Sequence, residues 1–255
     1  MRGIASFLRL TLRSRARRVA GLIAFGLLFL AAGATARIFT GDEHGHIEMD
    51  QIFALGGTTL VSALLLMGWL VGRFPLIAAV VLMAGIFSDD RARGHARIYA
   101  VLPHSPVVLY GARFLLLASL AFLMSALLLP MFDIIVLGVL PHATVFALIG
   151  GQVIVFGTLT ALLSTFTRAD AWAALFVGVT GIVWDGLRRV ELVAALPPAF
   201  RQAVSVVLPP QGALARIETA FASLQPVPWD AVLYVSLYGA LLLVIAGAIL
   251  ARREI

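Results

Sequence analysis

The chain has 255 residues, of which 61% are hydrophobic and only 13% charged. An average soluble domain carries about 25% charged residues, and the mean hydropathy here is +1.02. These values exclude disordered and collagen-like chains, disfavour a soluble globular enzyme, and leave one multi-span membrane domain. Cysteine is absent, so there is no disulfide framework, thiolate metal site or nucleophilic thiol. Lysine is absent too, and all 19 basic residues are arginine. A P-loop needs lysine on the nucleotide phosphates, so the chain carries no such ATP site. Schiff-base chemistry with a pyridoxal cofactor is excluded for the same reason. The formal net charge is +6, but the arginines flank apolar runs instead of forming a nucleic-acid stripe.

Residues 2–18 read as an amphipathic helix. Ile4, Phe7, Leu8 and Leu12 share one face, and Arg2, Arg9, Arg13 and Arg17 share the other. Such a helix lies in the membrane interface with its arginines near anionic headgroups. The plainer reading is an orientation signal for the first span. Ala34-Thr35-Ala36 has the look of a leader cleavage site, but 18 residues before the apolar run is long for a secretory signal.

The uncharged runs are 19–36, 51–72, 74–88, 114–132, 134–167, 171–184 and 231–251. None alternates with a period of two, so helices are predicted and a barrel is not. Pro141-His142 divides the longest run, giving one helix that ends near 139 and another from about 145 to 166. Only Arg73 and Pro75 interrupt 51–88. That stretch is either two short spans or one long helix kinked or broken at Gly72-Arg73-Phe74-Pro75. Unbroken, it would reach about 57 Å, well beyond the ~30 Å hydrocarbon core. The positive-inside rule separates the options. One crossing gives six spans, cytoplasmic termini, and 13 arginines inside against 5 outside. Two crossings give 11 against 8. Six spans are therefore expected.

The outer loop 37–50 gathers Asp42, Glu43, His44, His46, Glu48 and Asp50. Two histidines among flexible acids can bind metal, but a solvated acidic loop explains them better, and no metal site is expected. Arg73 and Asp133 interrupt apolar surroundings and are candidate intramembrane functional charges. The plainer accounts are snorkelling for Arg73 and an interfacial position for Asp133, ahead of the Pro141 turn. Gly150, Gly151 and Gly157, followed by Thr158, Thr160 and Ser164, read as helix packing rather than a substrate path. The outer segment 185–230 carries Pro197-Pro198 and Pro209-Pro210 and predicts surface or partly inserted helices, one of them within 212–224.

The most informative stretch is 88–113, SDDRARGHARIYAVLPHSPVVLYGAR. A short helix is predicted from about Arg91 to Leu102, ended by Pro103. Arg91, Arg93 and Arg97 are polar, and Ile98, Val101 and Leu102 form an apolar side. Such a helix either docks on a partner or lies on the bilayer. Asp89, Asp90 and Arg91, then Gly94, Pro103 nine residues later, Ser105 two after that, and Arg113 ten after the proline form a pattern. In this pattern, in the Arg-rich segment before the first span and in the ARREI tail, the chain resembles the ABC-2 family of ABC transporter permeases. It departs in having His95 where the family often has Thr, and Arg113 where Lys is common.

The resemblance implies an all-α integral membrane fold, residues 1–255, with six transmembrane helices, an interfacial helix at 1–18 and a cytoplasmic coupling helix in 88–113. Asp90, Arg91, Gly94, His95, Arg97, Ile98, Leu102 and Pro103 would couple to the ATPase, and Arg9, Arg13 and Arg17 would hold the interfacial helix at the surface. The implied partners are two ATP-binding cassette ATPase subunits, a second permease copy or a paralogue, and membrane lipids. ATP and Mg would sit on the ATPase, with no cofactor and no catalytic residue on this chain. Arg-only basic usage with abundant Ala, Gly and Leu suggests a GC-rich bacterial genome and hence a bacterial inner membrane.

Three other functions compete. One is an ABC permease that transmits force without small-molecule cargo. A gradient-driven carrier would favour several intramembrane acids and internal repeats, and only one candidate acid is found. A lipid-modifying enzyme needs convergent groups at one depth. Here His44, His46 and His142 are expected outside, and His95 and His104 inside.

Overall fold

The protein is represented by a computed structural model whose described residues are 2–40, 70–94, 105–138, 140–187 and 196–252. All regular elements among them are helical. The first, α1, runs unbroken over Arg2–Thr40. It lacks proline and is dominated by Ala, Leu and Arg, all strong helix formers. Its 39 residues extend about 58 Å, nearly twice the hydrocarbon core. Where the sequence predicts a separate interfacial helix at 2–18, the structure has one rod, because nothing near residue 18 interrupts the backbone hydrogen bonding. One stripe of α1 is buried, through Phe7, Thr11, Arg15, Leu22 and Leu30.

Leu70–Gly72 are helical, Arg73 makes a turn, and α2 follows over Phe74–Met83. Pro75 lies in the first turn of α2, where a missing N–H costs nothing. The break expected at 72–75 therefore falls at Arg73. With 10 residues, α2 rises only about 15 Å, half the core. Seven of its ten residues are buried, and Leu76, Ile77 and Val81 are half-buried, as a helix packed on several neighbours requires.

A turn at 84–87 leads into α3, Ser88–Ala92. The helix predicted to begin near Arg91 does not begin there: α3 ends at Ala92, and Gly94 adopts a left-handed φ of +73° that stops it. Residues 95–104 lie outside the described residues.

Next comes α4, Pro106–Phe132, capped by the Ser105 hydroxyl, which accepts from the Val108 N–H at 3.4 Å. It starts earlier than the apolar run suggests, so Arg113 lies two turns inside it. Beyond Phe132 it continues as a π-helical turn, Asp133–Leu137, closed by left-handed Gly138. The remaining helices are α5 (Thr144–Ser164), α6 (Asp170–Leu187), α7 (Pro198–Val207), α8 (Gln211–Ala222) and α9 (Trp229–Arg252).

Among the described residues five helices are long and apolar enough to cross a bilayer: α1, α4, α5, α6 and α9. α5 is the most buried of these and packs against α2, α4, α6, α8 and α9. The outward faces carry Leu115, Leu123, Leu127, Phe176, Leu237 and Val244, all exposed. A soluble protein does not sustain such a belt, whereas lipid favours it. The chain is a multi-pass helical membrane protein.

Helix direction alternates, so two ends of the bundle can be told apart. At one end lie the first turns of α1, the 84–94 segment, the start of α4, the end of α5, the start of α6 and the end of α9. Phe7 against Tyr110 and Leu250 beside Val107 and Phe87 bring both described chain ends there. At the other end α8 inserts among α5, α6 and α9 and buries Leu214 and Ile217 against Gly151. The expected short helix at 212–224 is thus partly inserted, burying Ala213, Leu214, Ile217 and Ala220 and exposing Arg216 and Thr219, while α7 buries none of its residues.

Candidate functional site

The turn between α2 and α3 is held by side chains from four other helices. Helix C-termini leave carbonyls unpaired and attract cations, and α1 supplies both remedies. The Arg15 and Arg18 guanidinium groups donate to the Ala84 carbonyl, and Arg18 also donates to Val81 at 3.1 Å. From α6, the Asp170 carboxylate accepts from the Gly85 N–H at 2.7 Å and from the Ser88 hydroxyl at 3.1 Å. From α5, the Ser164 hydroxyl accepts from the Phe87 and Ser88 N–H groups at 3.1 and 3.0 Å. From α4, Arg113 donates to the Ile86 carbonyl at 3.1 Å.

Gly85 makes this packing possible. Its φ is +72°, a region open to glycine, and an added Cβ would run into the Asp89 carboxylate.

The acids of the SDDR segment face inward. Asp90 forms a buried ion pair with Arg113, their side chains 7% and 5% exposed, and accepts a further bond from the Tyr110 hydroxyl at 3.3 Å. Tyr110 stands edge-on to Phe87 at 4.9 Å, and the Arg113 guanidinium lies 5.8 Å from the Phe7 ring. Asp89 sits 3.7 Å from both Arg15 and Arg18. Arg91 donates to the Thr165 and Ser164 carbonyls at 2.9 and 3.1 Å, capping the end of α5.

This knot ties α1, α2, α3, α4, α5 and α6 together at one end of the bundle. It sets Asp89 and Asp90 against arginines, while Asp170 is held by the Gly85 N–H and the Ser88 hydroxyl. Among the described residues no group of three or more His, Asp or Glu could hold a metal ion.

No protein-family model, curated protein or solved structure matches this chain.

Of the residues singled out for coupling, Asp90 is a buried clamp, Arg91 a helix cap, and Gly94 an exposed left-handed stop. His95, Arg97, Ile98, Leu102 and Pro103 lie outside the described residues, as do His44, His46 and their neighbouring acids. Arg9, Arg13 and Arg17 are exposed on the outer face of α1.

Arg73 is half-buried. It pairs with Glu218 of α8 at 2.9 Å, and beside it Gln152 of α5 donates to the Gly72 carbonyl at 3.1 Å. Gln152 lies eight residues into α5, about 12 Å from its start, and the Arg73 and Glu218 side chains are 25% and 42% exposed. Asp133 is half-buried and opens the π-helical turn far from the knot.

The hydroxyls divide by role. Thr158 and Thr160 bond to carbonyls within α5, while Ser164 reaches across to the turn. Gly157 meets Met83 and Ala79 of α2, and Gly151 meets α8, so these glycines serve packing.

Sequence reasoning missed Arg15, Arg18, Ser88, Tyr110 and Asp170 as members of the site. A signal for the first two was present: Phe7, Thr11, Arg15, Arg18 and Leu22 recur at three- and four-residue spacing, so two arginines fall on the apolar stripe of α1. Asp170 was signalled only as an acid opening a helix.

Proposed function

We propose that this chain is the membrane-spanning permease subunit of an ATP-binding cassette exporter, driven by ATP hydrolysed on separate ATPase subunits. The observation that carries the reading is the Asp90–Arg113 ion pair. It joins α3, which precedes residues 95–104, to α4, which follows them, inside a knot that includes α1, α2, α5 and α6. A segment anchored at both ends this way passes a push to the helices instead of yielding at its ends. That mechanical property is what a coupling segment needs, and it agrees with the absence of any P-loop lysine in the chain.

On this reading the chain crosses the inner membrane of a bacterium six times, with the knot and both termini in the cytoplasm. The sixth crossing runs through 51–88, whose second half is α2. Two such subunits, identical or paralogous, pair with two ATPases. The arginine-rich first turns of α1 brace the bundle at the membrane surface. ATPase closure moves the loop, and the knot transmits that motion to α2 and α4.

A gradient-driven carrier is the second reading. The break at Arg73 and its ion pair with Glu218 favour it, because broken helices with charges at mid-depth suit ion-coupled transport.

Affinity purification of the tagged chain from its native membrane in mild detergent tests the first reading. Co-purification of a P-loop ATPase whose turnover depends on this chain supports it. Purification alone, with no ATPase crosslinked from the 94–105 loop, removes it and leaves the carrier.

A further inference from the structure

Beside the knot, a pocket of about 220 Å³ opens between the first turns of α1 and the end of α3. Its charged lining is Arg15, Arg18, Arg93 and Arg113 against Asp89 and Asp90. Four guanidinium groups face two carboxylates, so the pocket carries an excess of two positive charges. Asp90 is committed to Arg113, and Asp89 lies 3.7 Å from each of Arg15 and Arg18, beyond hydrogen-bond distance.

Two donors are left over. Arg15 is 3% exposed, and its Nη2 makes no hydrogen bond. Nε of buried Arg113 makes none either. At the rim, the side chain of exposed Arg93 makes no hydrogen bond or ion pair among the described residues. Buried cationic donors without acceptors are costly. A phosphate supplies negative charge and several acceptor oxygens at once, and guanidinium groups bind it in fork geometry.

The pocket's position selects the source of that phosphate. It lies at the end of the bundle where the spans give way to charged residues, and Leu10, which lines it, is exposed together with Leu12. This is headgroup depth, where basic pockets between spans take anionic lipids. We propose that the pocket holds the phosphate of an anionic phospholipid, with Arg15, Arg18 and Arg113 at its base and Arg93 at its rim.

The test uses the full chain in mild detergent. Retention of phosphatidylglycerol and of phosphatidylcholine is compared by native mass spectrometry, with millimolar inorganic phosphate as competitor. Phosphatidylglycerol should be retained in preference, and inorganic phosphate should not displace it. Arg93→Gln, which removes no contact within the protein, should weaken phosphatidylglycerol about fivefold, and Arg93→Glu should weaken it further. Size-exclusion profiles establish that both variants are folded. Equal retention of the two lipids, or wild-type retention by both variants, overturns the proposal. Complete displacement by inorganic phosphate, with no lipid preference, assigns the pocket to soluble phosphate and overturns the lipid source.

Discussion

Asp90 and Arg113 stand 23 residues apart in the chain and meet in a buried ion pair between α3 and α4. Arg113 also donates to the Ile86 carbonyl, so one side chain joins α4, α3 and the turn that follows α2. Removing either partner leaves an uncompensated buried charge, which costs about 3–5 kcal/mol. Asp90→Asn and Arg113→Gln should each lower the unfolding midpoint of the detergent-solubilised protein. The double variant Asp90→Leu with Arg113→Met should recover most of the loss, because apolar replacement of both partners is close to neutral. Wild-type stability in both single variants would show that the pair does not hold the knot.

The turn itself gives a second prediction. Ser164→Ala strips the acceptor from the Phe87 and Ser88 N–H groups, at about 1–3 kcal/mol for each buried group left unsatisfied. Gly85→Ala forces a residue with a Cβ into left-handed backbone, at roughly 1–2 kcal/mol, and also displaces Asp89 from Arg15 and Arg18. Hydrogen exchange at residues 85–88 should accelerate in both variants. In the double variant the effects should fall short of their sum, since both act on one turn. Unchanged exchange in Ser164→Ala would remove that side chain from the account.

Much of the fold was legible because it follows from apolar run length. The ends near 139 and 145, the break at Arg73 and the helix within 212–224 all sit at proline, glycine or charge. The apolar runs could not show depth. A uniformly apolar stretch reads alike at the centre and at the rim, so the half-length, largely buried α2 emerges only from packing. The knot was half legible. Asp89, Asp90 and Arg113 drew attention as a spaced pattern, but Arg15, Ser164 and Asp170 are 69 to 85 residues away from the turn residues they bind, and no local pattern shows that they meet it. Arg15 in particular was hidden among neighbouring arginines that do face outward.

Arg73 and Glu218 offer a third prediction. Their ion pair ties the break in the 51–88 segment to α8. Arg73→Gln or Glu218→Gln should reduce the yield of folded protein, and the exchange Arg73→Glu with Glu218→Arg should restore part of it. Fluorescence-detected size exclusion reads the monodisperse fraction directly. Full yield in the single variants, or a swap worse than either, would place the two charges in separate roles.

Topology can be tested without background, because the chain has no cysteine. Single cysteines at Arg13, Arg93 and Gln225 report the two ends of the bundle. A membrane-impermeant maleimide applied to intact cells should label Gln225→Cys only. Inverted vesicles should label Arg13→Cys and Arg93→Cys. Labelling of residues 13 and 225 from the same side would contradict the alternation of helices.

The central claim is that the loop anchored by Asp90 and Arg113 is the surface on which an ATPase acts. The most direct measurement places a photo-crosslinking residue at position 95 and, as control, at position 225, in native membranes. A P-loop ATPase joined at 95 and absent at 225, with crosslinking changed by ATP, is the result expected. No ATPase at position 95, in a chain shown to be inserted and folded, would contradict the coupling role and return the protein to the carrier reading.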